Sequence, residues 1–405
     1  MDYSETLAYL HARLPMFTRV GKAAYKADLS NTHVLMKLTA HPERGLKCVH
    51  LAGTNGKGST ANMIASVLQE AGYRTGLHTS PHLKDFRERF RINGAMIPQE
   101  IVTAFVERYH TAFEPVEASF FEWGVALALH WFREERTDIA VIECGLGGRL
   151  DSTNVVTPEV SIITNIGWDH VDLLGDSFEK IAAEKAGIIK LGIPVVIGEA
   201  EGAVAEVFRK RAEEVGAPIH FTDQQPALPY ALDLHGPHQQ RNARTALAAL
   251  RELQQQGWAI SEEHIVAGLA NVQANTGFAG RWQTIAEHPL TIVDIGHNAD
   301  GLKVVADMLG RTPHEQLLIV LGTVNDKDIE RMLALLPKWA TYFFCKADIP
   351  RGLETWKLME LAAGHGLRGR TYPSVKEALA AARRSARERD LVLVTGSAFV
   401  VAEVF

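Results

Sequence analysis

The sequence predicts an α/β fold in two domains, each built on a mostly parallel sheet. Short apolar runs alternate with longer amphipathic segments along the chain, which is the pattern of parallel strands joined by crossover helices. The 405 residues exceed the roughly 150 residues of a typical single domain. Apolar residues make up 46% and charged residues 22% of the chain, as in globular proteins that bury sizeable cores.

The larger domain is predicted to come first. Its strands are expected at residues 48–52, 139–143, 160–165 and 194–198, with a further short strand at 74–78. Helices are expected at 241–254 and 261–270, and the small, turn-prone segment NTGFAG follows them. This segment predicts a hinge near residues 275–285 beside an interdomain cleft. We therefore expect domains at residues 1–281 and 282–405.

The alternation starts again in the second domain. Strands are expected at residues 291–295, 317–321, 341–345 and 391–394, and helices at 328–336, 354–363 and 375–386. This order predicts a smaller, Rossmann-like α/β domain.

Charge and cysteine content exclude several classes of protein. The chain has 42 basic and 48 acidic residues, a formal charge of -6 and no run of five like charges, so nucleic acid is not an expected partner. Cys48, Cys144 and Cys345 are scattered without CxxC spacing, which argues against disulfides and structural zinc. The N-terminus lacks a basic signal region and no 18 apolar residues are consecutive, so a cytoplasmic protein without a membrane segment is expected.

The sharpest local motif is a glycine-rich loop between a predicted strand and a predicted helix. Glycines let backbone N–H groups turn towards phosphate oxygens, and a lysine adds a positive charge. The motif departs from GxxxxGK[ST], because Leu51 replaces the first glycine and Gly58 follows the lysine. The alternative is a glycine-rich turn with a solvated lysine. The candidate phosphate-binding residues are Gly53, Thr54, Asn55, Gly56, Lys57, Gly58, Ser59 and Thr60.

Polar residues follow several predicted strands, at the edge where ligands bind in open α/β sheets. Glu143 could hold Mg²⁺, which takes few protein ligands besides waters and phosphate oxygens. His170 follows the next strand, and Lys185 lies on the helix after it. Taken singly, Glu143 is as readily structural or solvated, whereas a lone histidine is more often packed or on the surface and a single helical lysine is usually solvated. Ser80 in TSPHL is by itself a plain turn residue, and the DIGHN segment at 294–298 is equally compatible with a helix N-cap cluster.

Taken in order, these motifs resemble the folylpolyglutamate synthase and dihydrofolate synthase family, ATP-dependent amide-forming enzymes of the Mur ligase superfamily. The resemblance spans nearly the whole chain and implies an N-terminal P-loop-type ATPase domain followed by a C-terminal ligase domain. The motifs are GTNGKGST, TSPHL with DFRERFRING, ECGLGGRLDSTN, TNIGWDHVDLLGDS, AAEKAGI, HQQRNARTAL, GRWQ, DIGHN and TGSAFVV.

The resemblance also implies roles for individual residues. The implied catalytic residues are Lys57, Glu143, His170 and Lys185. The implied nucleotide contacts are the loop residues together with Asn242, Arg281, Asp294 and His297. The implied ligands of two Mg²⁺ ions are Ser59, Ser80, Glu143, His170 and Lys185, the last as a carbamate, because an unmodified ammonium would repel a metal. The implied substrate contacts are Ser80, His82, Phe86, Arg87, Arg89 and Asp151.

The implied reaction uses ATP to join L-glutamate to dihydropteroate, to tetrahydrofolate or other reduced folates, or to both kinds of acceptor, through an acyl phosphate. A monomer is expected. One alternative is another Mur-type amino-acid ligase. A muramyl ligase is not expected, because the additional N-terminal nucleotide-sugar domain of those enzymes is not expected to fit before Gly53. Another alternative is an ATP-driven switch that performs no ligation. Ala279 stands where the family usually has proline, a change expected to alter hinge stiffness rather than chemistry.

Overall fold

The computed structural model describes residues 1–15, 28–168, 170–223, 226, 228–325 and 329–405. The chain divides into two compact units, one formed by Met1–Asp233 with Pro237–Phe278 and the other by Leu234–Gly236 with Ala279–Phe405. The division between Phe278 and Ala279 falls three residues before the predicted boundary. In both units mostly parallel strands are joined by helices, which confirms the predicted α/β class.

The first unit contains an eight-stranded sheet with the order β4-β3-β2-β5-β1-β6-β7-β8. Strands β2, β5, β1, β6, β7 and β8 are parallel neighbours, whereas β3 and β4 pair antiparallel at one edge. The carboxyl ends of β5, β1 and β6 therefore meet at one edge of the sheet. The strands are β1 Cys48–Ala52, β2 Thr75–His78, β3 Phe90–Ile92, β4 Ala95–Met96, β5 Ile139–Glu143, β6 Val160–Asn165, β7 Val195–Glu199 and β8 Ile219–Phe221.

Helices pack around this sheet, which is why β1 and β5 are buried along their whole length and consist of apolar residues almost throughout. Several helices begin at side-chain caps, for example at Ser119 and Ser177. The helices are α1 Tyr3–Arg13, α2 Ser30–Leu38, α3 Lys57–Glu70, α4 Gln99–Phe113, α5 Phe120–Glu134, α6 Val171–Leu174, α7 Phe178–Ala186, α8 Gly202–Glu214, α9 Pro237–Gln255, α10 Glu262–Ala270 and α11 Val272–Thr276.

The second unit contains a six-stranded sheet with the order β13-β12-β11-β14-β10-β9, parallel except for β9. Its strands are β9 Gln283–Glu287, β10 Leu290–Val293, β11 Leu317–Leu321, β12 Thr341–Phe344, β13 Arg368–Thr371 and β14 Leu391–Thr395. Its helices are α12 Ala299–Arg311, α13 Ile329–Ala334, α14 Thr355–Gly364, α15 Val375–Ser385 and α16 Ala398–Ala402.

The predicted elements agree with the structure within a few residues, apart from the predicted start of one helix at Asp328, which lies outside the described residues. Five short strands were missed: β4 and β8 at the edges of the first sheet, β3 beside β4, and β9 and β13 at the edges of the second sheet. The exposed β13, with the sequence RGRT, shows why: it has no apolar alternation to detect. Among the described residues, no helix is both long and apolar enough to cross a membrane.

Candidate active site

The glycine-rich loop connects β1 to α3 at the carboxyl edge of the first sheet. Two of its residues adopt backbone angles that favour glycine, with φ of +149° at Gly53 and +81° at Gly56. A Cβ on Gly53 would lie 1.9 Å from Thr164 Oγ1, and a Cβ on Gly56 would lie 2.3 Å from Asn242 Oδ1. The loop is therefore packed between β6 and α9 too closely for a side chain at either position.

Hydrogen bonds from the end of β6 fix the loop's conformation. The Thr54 N–H donates to the Asn165 carbonyl at 3.0 Å, and the Asn55 N–H donates to Asn165 Oδ1 at 2.9 Å. The Thr164 hydroxyl donates to the Asn55 carbonyl at 2.6 Å. Thr164 and Asn165 thus hold the loop in shape, although neither is among the predicted site residues. TNIG marks polar residues at the end of a predicted strand, but their contact with the loop follows from the pairing of β6 with β1, which the motif does not reveal.

Two lysines meet at the start of this loop. Lys57 Nζ donates to the carbonyls of Gly53 at 2.9 Å and Thr54 at 3.1 Å. Lys185, from α7, is almost fully buried, and its Nζ also donates to the Gly53 carbonyl at 2.9 Å. Two positive charges therefore converge where the glycines turn, which suits a strongly anionic ligand.

Glu143 connects the glycine-rich loop with the segment that carries Ser80. Its Oε2 accepts the Ser80 N–H at 3.1 Å and lies 3.8 Å from where a Cβ on Gly58 would be. Ser59 and Thr60 are buried on the first turn of α3, and Thr60 Oγ1 has no hydrogen-bond partner in the part of the chain that the structure describes. Carboxylate and hydroxyl oxygens therefore lie beside the loop.

This donor set fits Mg²⁺ better than a metal that needs a complete protein cage. No group of three or more His, Cys, Asp or Glu side chains that could hold a metal exists within the described ranges. Mg²⁺ needs no such cage, since one or two carboxylates, waters and substrate phosphates complete its octahedron. His170 follows β6 with a φ of +49° and precedes α6, so its position after the strand agrees with the sequence analysis.

A buried guanidinium lies near Glu143. Arg89 is largely buried, its Nε donates to His82 Nδ1 at 2.8 Å, and its guanidinium carbon is 5.7 Å from the Phe120 ring centroid. Burial lowers the pKa of Arg89 to about 10, against the attraction of the Glu143 carboxylate. Burial, followed by the charge of Arg89, lowers the pKa of His82 to about 3, so His82 is neutral and can accept the hydrogen bond.

Three predicted substrate contacts have partners within the protein. Phe86 is buried against Phe90 and Phe120, with ring centroids 5.0 Å apart in both pairs. Arg87 Nη2 lies 2.7 Å from Asp85 Oδ2. Asp151 is buried and accepts the Leu146 N–H at 2.8 Å. Contacts of Phe86, Arg87 and Asp151 with a substrate remain predictions.

The second unit holds an acidic residue rigidly after β10. Asp294 is buried and accepts the Trp282 N–H at 2.9 Å and the Gly296 N–H at 2.8 Å. Burial raises the pKa of Asp294, while the charge of Arg281 and the two backbone N–H groups act in the opposite sense. His297 Nδ1 lies 3.1 Å from the Ile295 carbonyl oxygen. Arg281 is therefore close enough for its charge to act on Asp294, and the shared role of the two residues in nucleotide binding stays a prediction.

Comparisons with known proteins give matches to both units of the chain. Residues 51–241 match the Mur ligase middle domain, and residues 280–398 match the Mur ligase glutamate ligase domain. The Escherichia coli protein named dihydrofolate synthase/folylpolyglutamate synthase is 36% identical over 375 residues, which cover 87% of this chain and 85% of that protein. The chain belongs to the folylpolyglutamate synthase and dihydrofolate synthase family of ATP-dependent Mur ligases.

Solved structures of this family share the whole fold. The structure of E. coli FolC in complex with DHPP and ADP has a TM-score of 0.89 at 30% identity, covering 100% of this chain and 97% of that chain. A bifunctional folylpolyglutamate synthase/dihydrofolate synthase with Mn, AMPPNP and L-glutamate bound has a TM-score of 0.86 at 30% identity, with the same coverage. A longer relative from Haloferax volcanii is named probable bifunctional folylpolyglutamate synthase/dihydropteroate synthase. It is 34% identical to this chain over 92% of the chain's length, and the match spans only 48% of the relative's own length.

Proposed function

We propose that this protein uses ATP to join L-glutamate to dihydropteroate and to reduced folates such as tetrahydrofolate. The observation that carries the proposal is the position of Glu143. Its Oε2 accepts the Ser80 N–H and lies beside Gly58 of the glycine-rich loop. A phosphate group on the loop and an acceptor bound at the Ser80 segment would therefore meet at one carboxylate.

The glycine-rich loop is proposed to hold the ATP phosphates. Gly53 and Gly56 let the backbone N–H groups approach the phosphate oxygens, and the ammonium of Lys57 neutralises their charge. Asn242, packed against Gly56, is proposed to contact the nucleotide. Arg281, Asp294 and His297 are proposed to bind the rest of the nucleotide, with Arg281 suited to phosphate and Asp294 to ribose hydroxyls. The fixed orientation of the Asp294 carboxylate supports this role.

Two Mg²⁺ ions are proposed to bind at Ser59, Ser80, Glu143, His170 and Lys185. When bound, they would neutralise phosphate charge in the transition state. We propose that Lys185 is a carbamate in the active enzyme. Its neutral amine would form the N–C bond to CO₂ and release a proton, so that an ammonium becomes an anion. The burial of Lys185 beside Gly53 supports this, because burial disfavours a charged ammonium.

The acceptor is proposed to bind along the segment after β2. Arg89 is buried close to Glu143 and could pair with the acceptor carboxylate. Ser80 and His82 lie in the same segment. Phe86, Arg87 and Asp151 are proposed to contact the acceptor or to support residues that do.

The proposed reaction has two steps. The acceptor carboxylate oxygen attacks the γ phosphorus, the bond to the ADP oxygen breaks, and an acyl phosphate forms. The amine of L-glutamate then attacks the acyl carbon, phosphate leaves, and the nitrogen loses a proton as the amide forms. Activation is needed because a carboxylate is a poor electrophile, and the site supplies mainly positioning and positive charge.

The test is product analysis with ATP, Mg²⁺ and L-glutamate in three reactions, containing dihydropteroate, tetrahydrofolate or no acceptor. The expected result is ADP formation that needs both acceptor and glutamate, with each acceptor gaining one glutamyl unit by mass spectrometry. Turnover with one acceptor alone would restrict the function to that acceptor. ADP formation that is indifferent to both would favour an ATP-driven switch, and use of a different carboxylate would favour another Mur-type ligase.

We also propose that the protein is a cytoplasmic monomer. Its three cysteines are free and buried, which suits a reducing compartment. Size-exclusion chromatography with light scattering tests the monomer, since a mass of twice 44.6 kDa would contradict it.

A further inference from the structure

A chain of buried polar groups lies under the carboxyl edge of the first sheet. His50, in β1, is fully buried, and its Nε2 lies 2.8 Å from Thr153 Oγ1 and 3.2 Å from Cys144 Sγ. Thr153 is also fully buried, and its hydroxyl contacts Asp151 Oδ1. The chain therefore runs from β1 to the turn after β5, and Cys144 directly follows Glu143.

The chemistry of these groups fixes the direction of the hydrogen bonds. The Thr153 hydroxyl has one hydrogen and two neighbouring acceptors, Asp151 Oδ1 and, at 3.4 Å, Cys144 Sγ. An ionised carboxylate can only accept and is a much stronger acceptor than sulfur, so the hydroxyl donates to Asp151. Thr153 Oγ1 must then accept from His50, which places the imidazole hydrogen on Nε2. Burial, with the charges of Lys190 and His78, lowers the pKa of His50 to about 3, so the ring carries a single hydrogen. The relay runs from His50 through Thr153 to Asp151.

Asp151 in turn closes the turn formed by residues 145–153. It accepts the Leu146 N–H at 2.8 Å and the Thr153 N–H at 2.9 Å. Burial raises the pKa of Asp151, and these N–H groups and the Thr153 hydroxyl act against that shift. If the Thr153 hydroxyl is removed, the carboxylate loses one buried donor and His50 loses its acceptor.

The closed turn packs directly against the helix that carries Lys185. A Cβ on Gly148 would lie 2.9 Å from Lys185 Cα, so the turn and α7 touch through their backbones. The Arg149 N–H donates to the Glu184 carbonyl at 2.7 Å. The turn therefore links the end of β5, which carries Glu143, to the helix that carries Lys185.

We propose that His50 and Thr153 are positioning residues that hold the 145–153 turn in register with β1 and thereby set the geometry of the Glu143 and Lys185 metal site. The inference rests on the proposed function in one respect, namely that Glu143 and Lys185 hold the metal. Neither His50 nor Thr153 touches the reacting groups. Their effect reaches the site through Asp151 and the turn.

The test measures Mn²⁺ affinity by electron paramagnetic resonance, in the presence of AMPPNP and without acceptor. Thr153→Val keeps the shape of the side chain and removes the relay, and Thr153→Ser keeps the hydroxyl. Residues that orient metal ligands typically affect metal affinity by about 10- to 100-fold. We expect Thr153→Val to weaken Mn²⁺ binding by about tenfold or more and Thr153→Ser to restore wild-type affinity.

A second pair of variants keeps the proposal testable if Thr153→Val does not fold. His50→Gln retains an N–H donor near the position of Nε2, whereas His50→Met removes it at similar volume. We expect weak Mn²⁺ binding in His50→Met and near-normal binding in His50→Gln. Folded Thr153→Val or His50→Met protein with wild-type Mn²⁺ affinity would overturn the proposal. Because the assay needs no catalysis, a wild-type protein without glutamate-dependent turnover would refute the proposed function separately.

Discussion

Lys57 and Lys185 donate hydrogen bonds to the same backbone oxygen, that of Gly53, although they come from different helices. Two ammonium groups on one carbonyl repel each other unless an anion lies nearby. ATP would supply that anion to Lys57, and carbamate formation would remove the positive charge of Lys185. The shared acceptor thus links the nucleotide loop to the proposed modification.

Replacing Lys185 separates ligation from nucleotide binding. Lys185→Ala is expected to lower glutamate-dependent ADP formation at least 100-fold, because the proposed carbamate ligand is lost, while ATP binds through Lys57 and the loop. Steady-state turnover and isothermal titration with AMPPNP measure the two properties. Undiminished turnover in this variant would contradict the carbamate.

A methyl group at Gly56 is expected to block the nucleotide loop. Gly56→Ala would place a Cβ 2.3 Å from Asn242 Oδ1 at a φ of +81°, so the loop or Asn242 must move. Gly72→Ala is the matched control, because Gly72 has a φ of +84° and no neighbour within 4 Å. Both variants should lose about 1–2 kcal/mol of stability from the left-handed backbone, but only Gly56→Ala should raise the KM for ATP, by tenfold or more. Equal KM values in the two variants would show that the contact with Asn242 does not matter.

Asn165 is expected to affect ATP binding without touching ATP. Asn165→Ala removes the acceptor of the Asn55 N–H, and a lost hydrogen bond of about 1–1.5 kcal/mol corresponds to roughly a tenfold rise in the KM for ATP. Asn93→Ala is the control, because Asn93 Oδ1 accepts the Thr75 N–H at 2.8 Å away from the loop. The control should lose stability by denaturant unfolding and keep its KM for ATP. A normal KM in Asn165→Ala would mean that the loop keeps its shape without this bond.

The loop and its supports differ in how far the sequence could predict them. Strands β1 and β5 were predicted with correct bounds because five consecutive residues in each are buried and nearly all apolar. The hairpin β3–β4 was missed because its strands have only three and two residues. The support from Thr164 and Asn165 could not be predicted, since it depends on β6 lying next to β1 in the sheet. Sequence motifs identify which residues carry chemistry, whereas sheet order determines which of them meet.

The Glu143 carboxylate is expected to be needed for metal-dependent turnover. Glu143→Gln removes a negative charge while keeping the side chain's shape, so the Mg²⁺ concentration for half-maximal activity should rise at least tenfold and kcat should fall. Glu159→Gln is the control, because Glu159 pairs with Lys47 at 2.7 Å at the amino ends of the strands. A Mg²⁺ titration of ADP formation measures both. An unchanged Mg²⁺ requirement in Glu143→Gln would place the metal elsewhere.

A buried histidine makes the protein sensitive to acid. Burial, and then the charge of Arg89, lowers the pKa of His78 to about 3 from its ordinary value of 6.5. The unfolded chain therefore binds a proton that the folded protein does not, and stability falls as the pH falls from about 6.5 towards 3. Between pH 7 and pH 5 this one group accounts for about 2 kcal/mol.

Between pH 7 and pH 5, the free energy of unfolding of His78→Phe should therefore fall by about 2 kcal/mol less than that of wild type. Urea unfolding at the two pH values measures this difference. His33→Phe, at an exposed position on α2, is the control and should follow wild type. An identical loss in His78→Phe and wild type would show that His78 is not neutral in the folded protein.

The transfer of an oxygen isotope tests the central claim that ATP activates an acceptor carboxylate. Dihydropteroate labelled with ¹⁸O in its carboxylate is incubated with the enzyme, ATP, Mg²⁺ and L-glutamate, and the released phosphate is analysed by mass spectrometry. If the carboxylate attacks the γ phosphorus, each phosphate carries one ¹⁸O atom from the acceptor. Phosphate whose new oxygen comes from water instead would mean that ATP is simply hydrolysed, and it would contradict the acyl phosphate and the proposed ligase function together.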